Sequence, residues 1–423
     1  MRIAVIGSGI SGLTAAYKLS QEFEVHLFEK DGRLGGHTAT KQVQVDGQNY
    51  AIDTGFIVFN DRTYPRFEAL MEEVGVKSQP TDMSFSVHNQ DTGLEYNGHN
   101  LSTLFAQKRN ILNPRFLGMI REILRFNKRC KEIYADNDAK NTQTLGEFLQ
   151  ENRFSTYFQH NYILPMGAAI WSSTLGEMLS FPLRFFVQFF ENHGLLNVQD
   201  RPQWYTLVGG SHQYIPHLIR PLGSENVHLN AQIRMVTRDA AGVNLQFADG
   251  QTMRFDQVIF ATHSDQALAL LGDSTLEERS VLSAIPYRAN DVVLHTDTRL
   301  LPKSKQAWAA WNYRLCNQMD QSAAVTYCMN ILQRLPKDAP TFCVTLNQTD
   351  DIDPSKILGR YEYHHPTFSV DMVAAQRKRD LISGFGNTHF CGAYWYNGFH
   401  EDGVRSALDV VADIRSLQRR KAA

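Results

Sequence analysis

Gly7, Gly9 and Gly12 follow the short apolar run Ile3–Ile6 at the spacing G-x-G-x-x-G, and a carboxylate, Glu29, closes the next apolar run, Val25–Phe28. An unbroken apolar run is expected of a strand covered on both faces, and Leu13–Leu19 reads as the helix that follows it. In that setting each glycine has a task. Gly7 permits the tight turn, Gly9 lets main chain approach a pyrophosphate, and Gly12 lets helix pack close to strand. The helix N-terminus offers free N–H groups and a partial positive charge to phosphates, and Glu29 can accept bonds from ribose hydroxyls. The alternative is a glycine-rich turn in an unrelated α/β protein. The chemistry indicated is dinucleotide binding, either of a nicotinamide carrier that exchanges or of a flavin that stays.

A second cluster comes next, Arg33-Leu34-Gly35-Gly36-His37-Thr38. It resembles the Arg-x-Gly-Gly-Arg signature of the amine-oxidase-type flavoproteins, with His37 in the place of the final arginine. The segment DTGFIVFN (Asp53–Asn60) is similar to that family's Asp-x-Gly segment near the flavin ring. Residues 230–262 read as strand, hairpin and strand, with Asp249-Gly250 at a turn and an apolar strand at Val258–Phe260. Near the C-terminus, THFCGAYWYNGFHEDGVRSALDVV reads as a strand ending at Gly392, a loop, and a helix from about Gly403. Many relatives carry an acid directly after the Gly392 position, where this chain has Ala393.

These segments together resemble the superfamily of amine oxidases, protoporphyrinogen oxidases and carotenoid desaturases over most of the chain. DTGFIVFN, PMGAAIWS, YHHPTF and CGAYWYNGFHEDG are similar to a bacterial branch of NAD/FAD-binding flavoproteins. Members of that branch are often encoded with cyclopropane-fatty-acid-synthase-like methyltransferases, which implies modified acyl chains as substrates. The resemblance implies an α/β fold in which a Rossmann-type, glutathione-reductase-like FAD-binding domain is interleaved with an α+β substrate domain. The expected division is 1–75, 200–270 and 380–423 for FAD, and 76–199 and 271–379 for the substrate lobe. The implied FAD contacts are Gly7, Gly9, Ile10, Ser11 and Gly12, then Glu29 and Lys30, then Arg33, Gly35, Gly36, His37 and Thr38. Gly55, Phe56 and Ile57 follow, with Val236 on the adenine side through its backbone, Ala261, and finally Gly392, Ala393, Asp402, Gly403 and Val404.

A flavin dehydrogenation needs the substrate C–H bond held against flavin N5 with water excluded, and does not strictly need an acid–base pair. Tyr394, Trp395 and Tyr396 could shape a substrate slot or simply pack. His400 could move a proton or serve as a hydrogen-bonded structural residue, and Glu401 stands beside it. His364 and His365 are adjacent and cannot chelate one metal from a regular element, so no metal site is read. Cys391 reads as a buried, inert thiol rather than a flavin attachment point. With one G-x-G-x-x-G in the chain, electrons are expected to pass from substrate to flavin and on to oxygen or another acceptor.

Two inserts suggest the substrate. Between Lys108 and Lys131 there are eight basic residues and one acid, Glu122. Phe116, Ile120, Ile123, Leu124 and Asn127 are expected on one helical face there, with Arg121, Arg125, Lys128 and Glu132 on the other. Such a helix could rest on anionic lipid headgroups or pack its apolar face inward. Phe181, Phe185, Phe186, Phe189 and Phe190 recur at helical spacing, as a core helix or as the lining of an apolar tunnel. At 423 residues, with 43% hydrophobic and 20% charged residues, the chain suits two lobes rather than one core. A net charge of −2 excludes a general attraction to nucleic acid. Five cysteines (Cys130, Cys316, Cys328, Cys343, Cys391) without C-x-x-C spacing suggest a reducing compartment. The glycine-broken N-terminal run is not read as a signal peptide. The expected location is cytoplasmic, with peripheral contact at the inner face of the membrane as an extension. The leading expectation is an FAD-dependent oxidoreductase acting on an apolar lipid or fatty-acyl substrate such as a phospholipid acyl chain, with hydride passing to flavin N5 from a CH–CH position. The alternatives are an amine or amino-acid oxidase acting on CH–NH, and a non-redox isomerase or lipid-carrying partner.

Overall fold

The apolar run at the start of the chain becomes the middle strand of a parallel sheet. The computed structural model describes residues 1–136, 142–171, 173–197, 200–315 and 324–422. The five-stranded sheet has the order Val227–His228, Glu24–Phe28, Arg2–Ile6, Gln257–Phe260, Thr388–Phe390, all parallel. Its two central strands are buried on both faces, which is why Ile3–Ile6 and Val258–Phe260 read as unbroken apolar runs. The helices Ile10–Leu19 and His400–Ala422 pack side by side on one face of the sheet, where Leu13, Leu19, Val404, Val410 and Ile414 share a core with Ile3, Val5 and Ile259. The first helix therefore begins at Ile10 rather than Leu13, and the last at His400 rather than near Gly403.

Residues 230–262 form three antiparallel strands, Ile233–Asp239, Gly242–Phe247 and Thr252–Phe255, ahead of the sheet strand Gln257–Phe260. A second, seven-stranded sheet runs Ile357–Pro366, Tyr287–His295, Cys343–Leu346, Val325–Cys328, Trp311–Leu315, Phe85–Asn89, Leu94–Asn97. The strands of these two large sheets alternate along the chain, so each sheet draws on separated segments.

Most helices between residues 101 and 197 are short and locally encoded: Thr144 with Glu147 and Thr174 with Glu177 form capping boxes. The long helix Pro114–Asp136 buries Phe116, Met119, Phe126, Asn127 and Cys130, and leaves Leu124 53% exposed. Leu124 thus departs from the inward face expected for it; the buried stripe follows the 116–119–126–130 rows, which turn it toward solvent. Of the clustered phenylalanines, Phe181, Phe186, Phe189 and Phe190 are buried in one aromatic core with Trp171, and Phe185 lies 4.9 Å from the Phe368 ring. Cys130, Cys328, Cys343 and Cys391 are buried free thiols, while Cys316 lies outside the described residues. Among the described residues no helix is long and apolar enough to cross a membrane.

Phe186 is fully buried, its ring 4.0 Å from that of Phe190. Phe186→Ala is expected to lower unfolding stability by about 3–5 kcal/mol, read from the denaturant midpoint of the flavin-loaded protein.

Candidate functional site

One end of the site is a cradle of main chain at the C-terminal edge of the parallel sheet. The Gly7 N–H donates to the Phe28 carbonyl at 2.8 Å, so the glycine turn is tied to the strand that delivers Glu29. The Glu29 carboxylate is buried and accepts from the Ser8 N–H at 3.0 Å, the Ser8 hydroxyl at 2.5 Å and the Asp31 N–H at 3.0 Å. Ser8 in turn receives the Gly35 N–H on its carbonyl at 3.0 Å, which draws the second glycine loop over the first. Two glycines are required by contact. A Cβ at Gly12 would overlap the Gly7 carbonyl, and at Gly36, with φ +56°, it would lie 3.1 Å from the Gly9 Cα. Arg33 straps its own loop, donating to the carbonyls of Gly36 at 2.8 Å and Thr38 at 3.3 Å.

The remaining cradle residues take different positions. Ile10 and Ser11 are buried in the first turn of the helix, where a Cβ at Gly403 would lie 2.6 Å and 2.9 Å from their side chains. Lys30 is exposed at the rim, and Ala261 packs against Gly7 and Gly12. Val236 is placed away from Glu29: its carbonyl accepts from the Gly272 N–H at 2.9 Å. The backbone that meets Glu29 is at Ala231, whose N–H donates to the Glu29 carbonyl at 2.8 Å.

The other end is built around His400. Its ring stacks on Phe56 with centroids 3.6 Å apart and planes within 9°. Nε2 lies 3.0 Å from the Thr38 hydroxyl and 3.3 Å from the Tyr214 hydroxyl, and those two hydroxyls bond each other. Burial, with a smaller push from His37, holds the His400 imidazole well below its ordinary range and so neutral. Gly55 packs against the His37 carbonyl, which accepts the Phe56 N–H at 2.8 Å, and Ile57 is buried beyond it. Asp402 accepts the Phe399 N–H at 2.9 Å, and burial lifts its carboxyl to about 7. Val404 is buried in the core, and the Gly392 N–H donates to Ser406 Oγ at 2.9 Å, with Ala393 opening the turn that follows.

The residues singled out for chemistry do not converge. Glu401 accepts from the Arg66 and Phe67 N–H groups at 3.0 and 2.9 Å, which caps the helix Pro65–Val74. The Tyr396 hydroxyl donates to Asp409 at 2.6 Å under the Arg405 guanidinium. Tyr394 is buried, with its ring centroid 6.3 Å from that of Tyr287 in an edge contact. Burial pushes the Cys391 thiol up to about 12, which makes it a poor nucleophile. No group of side chains positioned to hold a metal ion occurs among the described residues.

A seam between the two large sheets carries the groups that spacing did not reveal. The His37 ring lies 5.3 Å from His365, 5.5 Å from Tyr363 and 6.2 Å from His263, and His263 stacks on Tyr287 at 4.0 Å. Burial lowers His37 to about 4 and both His263 and His365 to about 3, so the seam is rich in imidazole yet uncharged. Below it, Asp53 accepts from Thr40 Oγ1 at 2.5 Å, Ser211 N at 2.9 Å and Gln333 Nε2 at 3.2 Å. Gly209-Gly210 before Ser211 and the YHHPTF segment that opens at Tyr363 are the local signals for this junction; Gln333, at the end of the helix Met329–Leu332, has none.

The sequence profile described as flavin containing amine oxidoreductase matches residues 10–310. The chain belongs to that family. It is similar to a probable flavin-containing monoamine oxidase A of Dictyostelium discoideum, 25% identical over 276 residues, which are 61% of this chain and 56% of that protein. The chain therefore spans less than two thirds of the length of the curated relatives it matches. Among solved structures it shares its fold with cyclohexylamine oxidase from Brevibacterium oxydans IH-35A, with TM-score 0.72, 16% identity, and 99% of each chain covered. It also shares it with a CLA-producing fatty acid isomerase from P. acnes, with TM-score 0.68, 17% identity, and 97% and 98% covered.

The family implies FAD, and the residues present fit it. A Cβ at Gly9 would meet no protein atom within 4 Å, so the first glycine turn presents bare main chain at the helix N-terminus. In the second glycine loop, His37 Nε2 is buried with no hydrogen-bond partner among the described residues. Gly12→Ala is expected to abolish FAD retention, because the methyl has no room; the ratio of flavin to protein absorbance after purification reads this. Burial also raises the Asp53 carboxyl from its ordinary 3.8 to about 6. The folded state thus holds the proton more tightly, and that contribution, roughly 3 kcal/mol, is present below pH 3.8 and lost as pH rises through about 6. Asp53→Asn should remove this slope from a plot of unfolding free energy against pH.

Proposed function

We propose that the protein is an FAD-dependent oxidoreductase that dehydrogenates an apolar, fatty-acyl-like substrate at a CH–CH position. The observation that carries the substrate class is the contact between Phe189, from the phenylalanine-rich helix, and Phe399. Their rings lie 4.9 Å apart and 20° from parallel, directly before the His400 that stacks on Phe56. Aromatic core thus continues up to the isoalloxazine end of the site, next to histidines kept neutral. An apolar chain enters such surroundings without leaving a buried charge unpaired.

In this reading residues 1–75, 200–270 and 380–423 form the FAD domain, and 76–199 and 271–379 the substrate lobe. The chemistry supplied by bound FAD is acceptance of a hydride, with oxygen or another acceptor taking the electrons onward. The chain's own part is to bind, orient and exclude water. Glu29 and the two glycine loops hold the nucleotide half. His400 positions the Thr38 and Tyr214 hydroxyls as a neutral hydrogen-bonding group, while Glu401 caps the helix Pro65–Val74, Tyr396 is tied to Asp409, and Tyr394 packs.

Oxidation of amines at CH–NH is the second reading, favoured by the amine-oxidase names among the relatives. A third, flavin-bound isomerisation without net redox turnover, draws support from the shared fold with a fatty acid isomerase. Anaerobic mixing with fatty acids and phospholipid extracts is expected to bleach the flavin absorbance, while an amine panel yields no peroxide. Peroxide from amines with no bleaching by lipid overturns the leading proposal, and a changed lipid product over unbleached flavin selects the third.

A further inference from the structure

The long helix Pro114–Asp136 has an outward face as well as the inward one. Leu117, Arg121, Leu124 and Lys128 succeed one another at spacings of four, three and four residues, which places them in one row along the helix. All four are exposed, the leucines by 40% and 53%. The segment just before the helix adds Ile111 and Leu112, exposed by 52% and 87%. Single exposed leucines need no explanation. Four large apolar side chains between residues 111 and 124, interleaved with cations, form a surface that water serves poorly.

The charges on this face are available. Arg115, Arg121, Arg125 and Arg153 line a surface cleft of about 550 Å³ beside the row. The one acid in the cleft, Glu122, is already committed, accepting the Ser155 N–H at 2.8 Å and the Ser155 hydroxyl, and meeting Arg125 at 3.4 Å. Arg115, Arg121, Arg153 and Lys128 make no ion pair among the described residues. A planar guanidinium cluster of this kind suits phosphate oxygens, and the adjoining leucines suit the acyl boundary beneath a headgroup.

We infer that this face docks the protein on an anionic phospholipid surface, with the arginine cleft taking a lipid phosphate and Leu112, Leu117 and Leu124 entering the bilayer interface. The occupant follows from charge complementarity together with the leucine row. A soluble anion has no use for the leucines, and an apolar protein partner has none for four arginines. The inference does not depend on what the flavin oxidises.

The test uses FAD-loaded full-length protein floated with phosphatidylcholine vesicles, with or without phosphatidylglycerol. Binding is expected only with phosphatidylglycerol, weakening as salt rises. Each basic residue near such a surface changes partitioning by about fivefold. Arg121→Glu with Lys128→Glu should therefore lower it by more than about twentyfold, and Leu117→Asp with Leu124→Asp should abolish it. Flavin content is expected to be unchanged in both pairs; if either pair loses flavin, Arg121→Gln with Lys128→Gln and the salt dependence of the unaltered protein decide. Four results overturn the inference: equal binding to phosphatidylcholine alone, binding retained in both pairs, displacement by inorganic phosphate alone, or self-association in sedimentation that only the leucine pair removes.

Discussion

A buried carboxylate that makes no ion pair among the described residues must be held by hydrogen bonds, and Glu29 is held mainly by Ser8. That constraint organises the nucleotide end. Ser8 lies between Gly7 and Gly9, so fixing it fixes the first glycine turn at the mouth of the helix. Because Ser8 also receives the Gly35 N–H, the second glycine loop is fixed to the same point. Main chain can cross main chain there only where Cβ atoms are missing, as at Gly12 and Gly36. The result is a surface of bare backbone backed by a helix N-terminus, suited to an extended diphosphate.

At the opposite end the governing condition is neutrality. His400, His37, His263 and His365 are half-buried, and burial shifts all four toward the neutral form. Neutral imidazoles still hydrogen-bond and stack, and His400 does both, with Thr38 and Tyr214 on its edge and Phe56 on its face. An uncharged but polarisable wall of this kind can accommodate a redox ring and an apolar partner without unpaired charge.

The glycine cradle and the helix that opens at His400 both build on the parallel sheet, and a few bonds cross from them to the rest of the chain. Gln333 reaches the Asp53 carboxylate and backbone, and the Tyr363 hydroxyl meets Thr54 at 2.7 Å. They tie the segment 53–57 to the end of the helix Met329–Leu332 and to the strand Ile357–Pro366, and that segment carries the Phe56 that stacks on His400.

The nucleotide end was legible in the chain itself because its requirements are local. Strand, glycine turn, helix and acid lie within the first thirty residues, each demanded by backbone geometry that only certain residue types allow. The Arg33–Thr38 cluster and the capped helices are legible for the same reason. What the sequence could not determine is where distant side chains meet. Glu401 looked like a reactive neighbour of His400, yet one helical residue further round it turns to cap Pro65–Val74. Leu124, expected on the inward face, faces out. The imidazole seam joins residues 37, 263 and 365, whose proximity depends on the packing of two sheets. Local backbone constraints leave a mark on neighbouring residues, whereas contacts set by packing leave theirs on residues hundreds of positions apart, and only the tertiary structure brings those together.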